Sequence, residues 1–209
     1  MSKRYTWPSL AAPAAVLITG LGVTTALAAT TWTVQPGGTV TAASKNTVLR
    51  DLKTGSVIEC HSSITVTLKS GSGLAGSNIG SISSAGFSKC VGGLGITYTL
   101  TAQHLPWHLN TASYNSGTGT THGTISGVHA VIGGGLPCIA IVDGTGASKD
   151  NGIISVTYKN GTHQLTWLKT GGNLHFYRVN GCSGLIQSGD PAALAGTFSV
   201  SPPQTITSP

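Results

Sequence analysis

The four cysteines are the residues whose chemistry the sequence predicts most directly. Cys60, Cys90, Cys138 and Cys182 all follow an N-terminal export signal. An even number of cysteines in a secreted chain is typical of disulfides formed in an oxidising compartment. Four cysteines allow three pairings. In two parts of the chain, a cysteine near an apolar strand precedes a second cysteine that Gly and Leu follow closely. This repetition predicts the pairs Cys60–Cys90 and Cys138–Cys182.

The seven histidines raise the question of a metal site. His104 and His108 are four residues apart, but Pro106 between them disfavours the helix that would align the two rings. No histidine pair has the spacing of a zinc finger, and the cysteines are better used in disulfides. The sequence therefore predicts no metal site and no cofactor.

The acidic residues are few and do not form a recognisable catalytic set. Asp143 and Asp150 flank a Gly-containing segment that could offer oxygens to Ca²⁺, but a turn held by Asx hydrogen bonds is favoured. A glycosidase needs two facing carboxylates, and the chain has five acidic residues, most of them in turn contexts. No G-x-S-x-G elbow is present. Residues 71–76 match G-x-G-x-x-G, but no helical pattern follows them, which argues against a dinucleotide site. The sequence favours a non-catalytic protein and leaves an enzyme open.

Trp107 is the tryptophan of the mature chain least committed to a strand. A ring on a loop can stack on a sugar, so Trp107 is a speculative ligand-binding residue, with His104 and His108 as its polar neighbours. The alternative is a buried lid at one end of the core. The flanking residues Leu105 and Leu109 favour the lid, because they also need burial.

The first 28 residues are predicted to be a signal peptide. Residues 2–4 give a positive start, residues 10–27 are largely apolar, and residues 26–28 form an A-x-A cleavage site before Ala29. The alternative is an uncleaved membrane anchor. No later segment is long and apolar enough to span a membrane. We therefore expect a secreted protein that is extracellular or held non-covalently at the cell surface, with no stable membrane span after cleavage.

Alternation with a period of two dominates the rest of the chain. Segments 64–69, 96–101 and 154–158 alternate apolar residues with Thr, Ser or Lys, as in antiparallel sheets with one wet face. We predict an all-β fold, either an antiparallel sandwich or a partly closed barrel, with two disulfides. The sequence places it in one domain, 29–209, with two weakly related halves, 29–108 and 109–209.

Three local predictions follow from turn and cap residues. Asn160–Gly161 predicts a tight two-residue hairpin, in which both central residues need positive φ. Segment 153–179 is predicted to be a three-stranded meander. Segment 190–196 has the cap, Pro and Gly of a helix of one or two turns.

The expected core faces combine the apolar positions of these alternating segments. They are Ile64, Val66, Leu68, Ile96, Tyr98, Leu100, Ile154, Val156, Phe198 and Val200.

The charge pattern argues against a nucleic-acid partner. Removing Lys3 and Arg4 with the signal peptide lowers the net charge from +6 to +4. The remaining basic residues are scattered, whereas nucleic-acid binding needs them clustered on one element. Low charge also hints at self-association or contact with a surface.

Four segments together resemble a known family. They are residues 32–38, 68–74, 105–110 and 204–209, and in combination they are similar to a family of uncharacterised secreted proteins from actinobacteria. The resemblance covers essentially the whole mature chain. It implies secretion and a single recurring fold, and it carries no assigned activity, cofactor or catalytic residue.

Three functional hypotheses follow. The first is a secreted or cell-surface non-catalytic protein that binds an envelope component, such as a cell-envelope polysaccharide, or itself. The second is a secreted hydrolase of cell-wall or extracellular polymer. The third is a lipocalin-like carrier of a small ligand, which would need a barrel with an empty apolar interior.

Overall fold

The computed structural model describes residues 30–135 and 137–209, so the predicted signal peptide, 1–28, lies outside the described residues. The described chain is all-β with antiparallel pairing, as predicted, and has one short 3₁₀ turn, Gly93–Gly95. Its strands are β1 (Thr31–Gln35), β2 (Gly38–Asp51), β3 (Val57–Leu68), β4 (Gly71–Ala75), β5 (Gly80–Gly92), β6 (Thr97–Gln103), β7 (Trp107–Asn115), β8 (Thr120–Gly133), β9 (Ile139–Asp143), β10 (Gly152–Lys159), β11 (Gln164–Trp167), β12 (His175–Asn180), β13 (Ala192–Ser201) and β14 (Thr205–Thr207).

The period-two pattern produces strands with one buried and one exposed face. In β3, Ile64, Val66 and Leu68 are buried, while Thr67 between them is exposed. Seven of the ten predicted core residues are buried and the other three, Ile96, Tyr98 and Val200, are half-buried. Burying a Val, Leu or Ile side chain contributes about 1.5–3 kcal/mol each, so these faces dominate the stability of the sheet.

Eight strands pair edge to edge in a closed ring. The order is β2, β3, β5, β7, β8, β10, β11 and β13, and β13 pairs with β2 again. Closure removes the free strand edges and encloses the inward-facing side chains. Of the two predicted forms, a sandwich and a partly closed barrel, this pairing matches the barrel. The ring also mixes strands from both predicted halves, since β13 lies between β11 and β2.

A small sheet, β14–β1–β4, packs against the interior of the ring. Ile206 of β14 and the buried Gln204 line the same interior cavity as side chains of the ring. The Tyr158 hydroxyl donates to the Gln204 carbonyl at 2.8 Å. The Gly37 amide donates to Gln204 Oε1 at 2.9 Å. Buried polar groups are thus paired where the C-terminal segment enters the core.

Strand β8 connects the ring to the remaining strands. Its residues up to Val128 pair with β7 or β10, whereas His129–Gly133 pair with β6 or β9. The change of partners occurs around Gly127, which has a φ of +80°. Such a left-handed residue in a bulge bends the strand at little cost when it is glycine. Beyond the bulge, Val128 and His129 are both buried.

The two predicted disulfides are confirmed. Cys60–Cys90 joins the neighbouring strands β3 and β5, and Cys138–Cys182 joins the start of β9 to the end of β12. Both point to an oxidising, extracellular setting. No helix within the described residues has the length and apolar character needed to cross a membrane.

Three local predictions need correction. The loop after β10 has four residues, 160–163, and its left-handed residue is His163, not Asn160 or Gly161. β12 pairs with β9, because the second edge of β11 is occupied by β13. Residues 192–196 belong to strand β13 and not to a helix, since pairing with β2 and β11 outweighs the weak helical signal of so short a segment.

Candidate functional site

Trp107 lies in the core and not at the surface. Its side chain is 0% exposed, and its indole N–H donates to the carbonyl of Gln103 at 3.1 Å. Leu109, two residues further along β7, is buried with it. The ring is therefore closed to a sugar, and the ligand-binding interpretation of Trp107 is wrong. Its burial matches the alternative, in which this segment closes part of the core.

His104 and His108, the predicted polar neighbours of Trp107, lie in different surroundings. His108 is a half-buried residue of β7 that pairs with Ser126 of β8. His104 follows β6 in an exposed turn and has a left-handed backbone, with a φ of +53°. Only His104 belongs to the cluster of titratable side chains described next.

Two histidines and an aspartate meet at one point of the surface. His104 Nδ1 lies 2.5 Å from Asp150 Oδ1, and His129 Nδ1 lies 3.0 Å from the same oxygen. The two imidazole rings are 4.4 Å apart between centroids. His129 is buried, whereas the side chains of His104 and Asp150 are 51% and 44% exposed. One side of this histidine–aspartate cluster therefore faces the protein and the other faces solvent.

Asp143 supports the cluster from within the protein. Its Oδ2 lies 3.1 Å from His129 Nδ1 and also accepts the amides of Lys149 and Asp150. Its Oδ1 accepts the amides of Gly144 and Asn151. Burial raises the pKa of Asp143, but these hydrogen bonds outweigh it and hold the pKa below its ordinary value.

The hydrogen bonds of Asp143 fold the following loop around a buried, ionised carboxylate. The predicted turn with Asx hydrogen bonds is therefore confirmed. The loop ends at Asp150, which has a left-handed φ of +51°. It thus brings the Asp150 carboxylate beside the two rings.

No local motif in the sequence predicts this cluster. His104 and Asp150 are 46 residues apart, and His129 reaches them because β8 pairs with β6, opposite Gln103. The short spacing of His104 and His108, which first drew attention, has no role in it. What the sequence did contain was the pair of aspartates at the ends of the loop.

The chemical capacity of the cluster lies in its donor atoms. Ligand atoms of His104, His129 and Asp150 all lie within 4.8 Å of one another. The described hydrogen bonds of these two imidazoles go to carboxylates and not to a hydroxyl, so a serine nucleophile with its base is not formed here. Two nitrogens and one oxygen are instead a set of donors that a metal ion can use.

A groove crosses the outer face of the ring. Its volume is about 670 Å³, and it is lined by residues of β13, β2, β3 and β5. The floor runs through the outward-facing residues Ser199, Ala43, Ser63 and Gly86, which pair with one another from strand to strand. Because these side chains are small, the sheet surface is lower here than beside it. We call this feature the outer groove.

Polar side chains flank the floor of the outer groove. Lys45 and His61 are exposed at its margin, and Ser88 and Thr197 add hydroxyl groups. The register of β2, β3, β5 and β13 shifts at bulges beside these residues. No aspartate or glutamate lines the groove. It therefore offers hydroxyls, one cation and one imidazole, and it lacks the carboxylate pair of a glycosidase.

The interior of the ring is nearly filled. Its cavity has a volume of about 40 Å³ and a mainly apolar lining that includes Val66, Leu109, Val156 and Ile206. Ligand pockets usually have volumes of about 300–1,000 Å³. The cavity is too small for the ligand of a carrier.

Five large apolar side chains are exposed among the described residues: Leu52, Val91, Leu94, Ile139 and Leu185. Contacts connect the positions of three of them, Leu52, Leu94 and Leu185. Leu94 is fully exposed, and its neighbour Gly93 lines the same cavity as Leu185. The hydroxyl of Thr54 donates to the Leu185 carbonyl, which ties the loop that contains Leu52 to the same place. We call this surface the apolar end.

Comparison with protein-family models, with curated proteins and with solved structures finds no match to this chain. The resemblance to a secreted actinobacterial family therefore stays a prediction, and the function has to be argued from the geometry.

Proposed function

We propose that this is a secreted, non-catalytic binding protein that attaches to a cell-envelope polysaccharide through the outer groove. The observation that carries the proposal is the groove itself, a depression of about 670 Å³ across four strands. It is the largest of the cavities described above. Its length across the sheet suits an extended polymer better than a compact small molecule.

The chemistry of the groove supports a neutral or weakly anionic sugar polymer. Ser63, Ser88, Thr197 and Ser199 carry hydroxyls that both donate and accept hydrogen bonds, as sugar hydroxyls do. Lys45 adds one positive charge. The strands beneath the groove are held in the closed ring, so few groups must become ordered on binding. A rigid polar surface of this kind binds without catalysing a reaction.

The groove composition argues against the hydrolase hypothesis. Hydrolysis of a glycosidic bond requires two carboxyl groups at the substrate, one of them with a raised pKa. The groove has no carboxylate, and Asp143, which supports the histidine–aspartate cluster, has a lowered pKa and is hydrogen-bonded to its own loop. The small interior cavity argues likewise against the carrier hypothesis.

Self-association is a second candidate, and the apolar end is the observation that favours it. Leu94 stands fully exposed at the tip of a Gly–Leu–Gly turn with a φ of +58°. Clustered exposed apolar side chains are typical of interaction sites. If the apolar end joins two copies, Leu94→Ser and Leu185→Ser together should shift sedimentation velocity from dimer to monomer. A parent that is monomeric at high concentration would remove this candidate.

The groove hypothesis is tested by retention on isolated cell wall. Ser63→Gln places a longer neutral side chain on the floor and should reduce affinity about tenfold, a loss of about 1.4 kcal/mol. Thr67→Gln is the matched control, because Thr67 faces outward on the same strand beyond the groove. Parent and control should be retained equally. If Ser63→Gln binds as well as they do, or if the parent is not retained, the proposal fails.

A further inference from the structure

We propose that His104, His129 and Asp150 form a binding site for a divalent transition-metal ion of the zinc class. The site is separate from the outer groove, and the proposal does not depend on polysaccharide binding. It starts from three side chains that come from three different parts of the chain. His104 lies in the turn after β6, His129 lies in β8, and Asp150 ends the loop after β9.

The identity of the donors favours a nitrogen-binding ion. Two imidazoles and one carboxylate are the protein ligands of many open zinc sites, in which water takes the fourth position. Calcium and magnesium prefer sets made of oxygen donors, and Asp150 offers the only carboxylate in this donor set. Imidazole-rich sites bind zinc, copper, nickel or iron.

The distances between the donor atoms allow bonds to a metal ion to replace the hydrogen bonds between the side chains. Nδ1 of His104 lies 2.5 Å from Asp150 Oδ1, and Nδ1 of His129 lies 3.0 Å from the same oxygen. Ligands bound to zinc at about 2.0–2.2 Å in a tetrahedral site lie about 3.3–3.6 Å apart, which is about 1 Å or less beyond these contacts. The side chains therefore need to separate by small movements. Without an ion, hydrogen bonds between the ligands hold the set together.

Asp143 fixes the position of the His129 ring. Asp143 Oδ2 lies 3.1 Å from the His129 ring, and four backbone amides hold that carboxylate in place. The partner of His129 is therefore held rigidly by its own loop.

The backbone at two of the three donors is left-handed. His104 and Asp150 both have left-handed φ angles, +53° and +51°, which are uncommon outside glycine. Such residues cluster at sites where geometry matters for function. Here the conformation turns both side chains toward His129. Their half-exposed positions leave a path from solvent to the donors.

The test is calorimetric titration of the exported, disulfide-bonded protein with ZnCl₂ after EDTA treatment and dialysis at near-neutral pH. We expect one equivalent of Zn²⁺ to bind. His104→Asn and Asp150→Asn should each weaken binding by about tenfold or more, and the double variant should abolish it. Asn suits both positions because it tolerates a left-handed backbone. His108→Asn, a nearby histidine outside the cluster, should bind Zn²⁺ like the parent.

A second readout uses the unmodified protein, so a variant that folds poorly cannot obscure the result. On addition of Zn²⁺, NMR should show shifted imidazole resonances of His104 and His129, with those of His108 unchanged. The thermal melting temperature should rise with Zn²⁺ and should not rise with Ca²⁺ at the same concentration. Absence of zinc binding, or binding that shifts other histidines and persists in the double variant, would overturn the proposal.

Discussion

Asn160 binds the backbone of Ile206 as a neighbouring strand would. Its side-chain oxygen accepts the Ile206 amide at 2.9 Å, and its side-chain nitrogen donates to the Ile206 carbonyl at 3.0 Å. These two hydrogen bonds span 46 positions and hold β14 against the ring. The C-terminal segment is therefore an integral part of the fold.

Asn160→Ala should consequently destabilise the protein. It removes both hydrogen bonds; the Ile206 amide loses its side-chain acceptor, while the Ile206 carbonyl keeps the Thr121 hydroxyl as a donor at 3.2 Å. A buried group that stays unsatisfied costs about 1–3 kcal/mol. Urea denaturation measures the loss. Asn115→Ala is the control, because Asn115 bonds only the nearby Thr118 in an exposed turn. Equal stability of the two variants would show that the contact with β14 contributes little.

The inward face of β3 gives a second test. Val66 is 3% exposed and borders the interior cavity, so Val66→Asp would bury a carboxylate that has no partner. We expect a loss of several kcal/mol, out of a total stability of about 5–15 kcal/mol. Thr67→Asp, at the next and exposed position of the strand, should melt close to the parent. A normal melt for Val66→Asp would contradict the assignment of faces.

Asp143 predicts a particular response to acid. Because the pKa of Asp143 is lower in the folded protein than in the unfolded chain, its contribution is complete above the ordinary pKa of about 3.9. It is lost as the pH falls below that value, because the unfolded chain then takes up the proton first. Asp143→Asn should be less stable at neutral pH and show a flatter acid limb in melts measured against pH. An acid limb as steep as in the parent would argue against the role of the loop carboxylate.

Tyr158 predicts how the stability of the protein responds to alkaline pH. Burial raises the pKa of its hydroxyl in the folded protein. Its contribution is therefore complete below the unfolded pKa of about 10 and is lost as the pH rises above it, since the unfolded chain ionises first. Tyr158→Phe should reduce this alkaline loss, while lowering stability at neutral pH because the Gln204 carbonyl loses its donor. An unchanged alkaline limb would show that other groups control it.

Local patterns in the sequence were sufficient for the fold class and both disulfides. Alternation identified the buried faces of β3 and β10, because one face of each strand is wet and the other is dry. The Cys60–Cys90 pair could also be predicted from local patterns, since its two strands are neighbours in the sheet. Asp143 and Asp150 were recognised as turn residues from the short loop between them.

Such local patterns could not predict which distant parts of the chain lie together. His129 joins His104 only because β8 changes partners at Gly127 and pairs with β6 beyond it. The outer groove depends on small residues of four strands that come into register through bulges. Trp107 was offered as a speculative ligand-binding ring because its segment has turn residues, although its flanking leucines favoured a buried lid. In the structure its indole N–H is paired and its ring is fully buried.

Amide chemical-shift mapping tests most directly whether a polysaccharide binds in the outer groove. Soluble fragments of the cell-wall polysaccharide would be titrated into isotopically labelled protein. We expect saturable shifts confined to the groove residues of β2, β3, β5 and β13, around Ser63 and Gly86. Shifts centred on the apolar end around Leu94, or no shifts with any envelope fraction, would contradict the proposal.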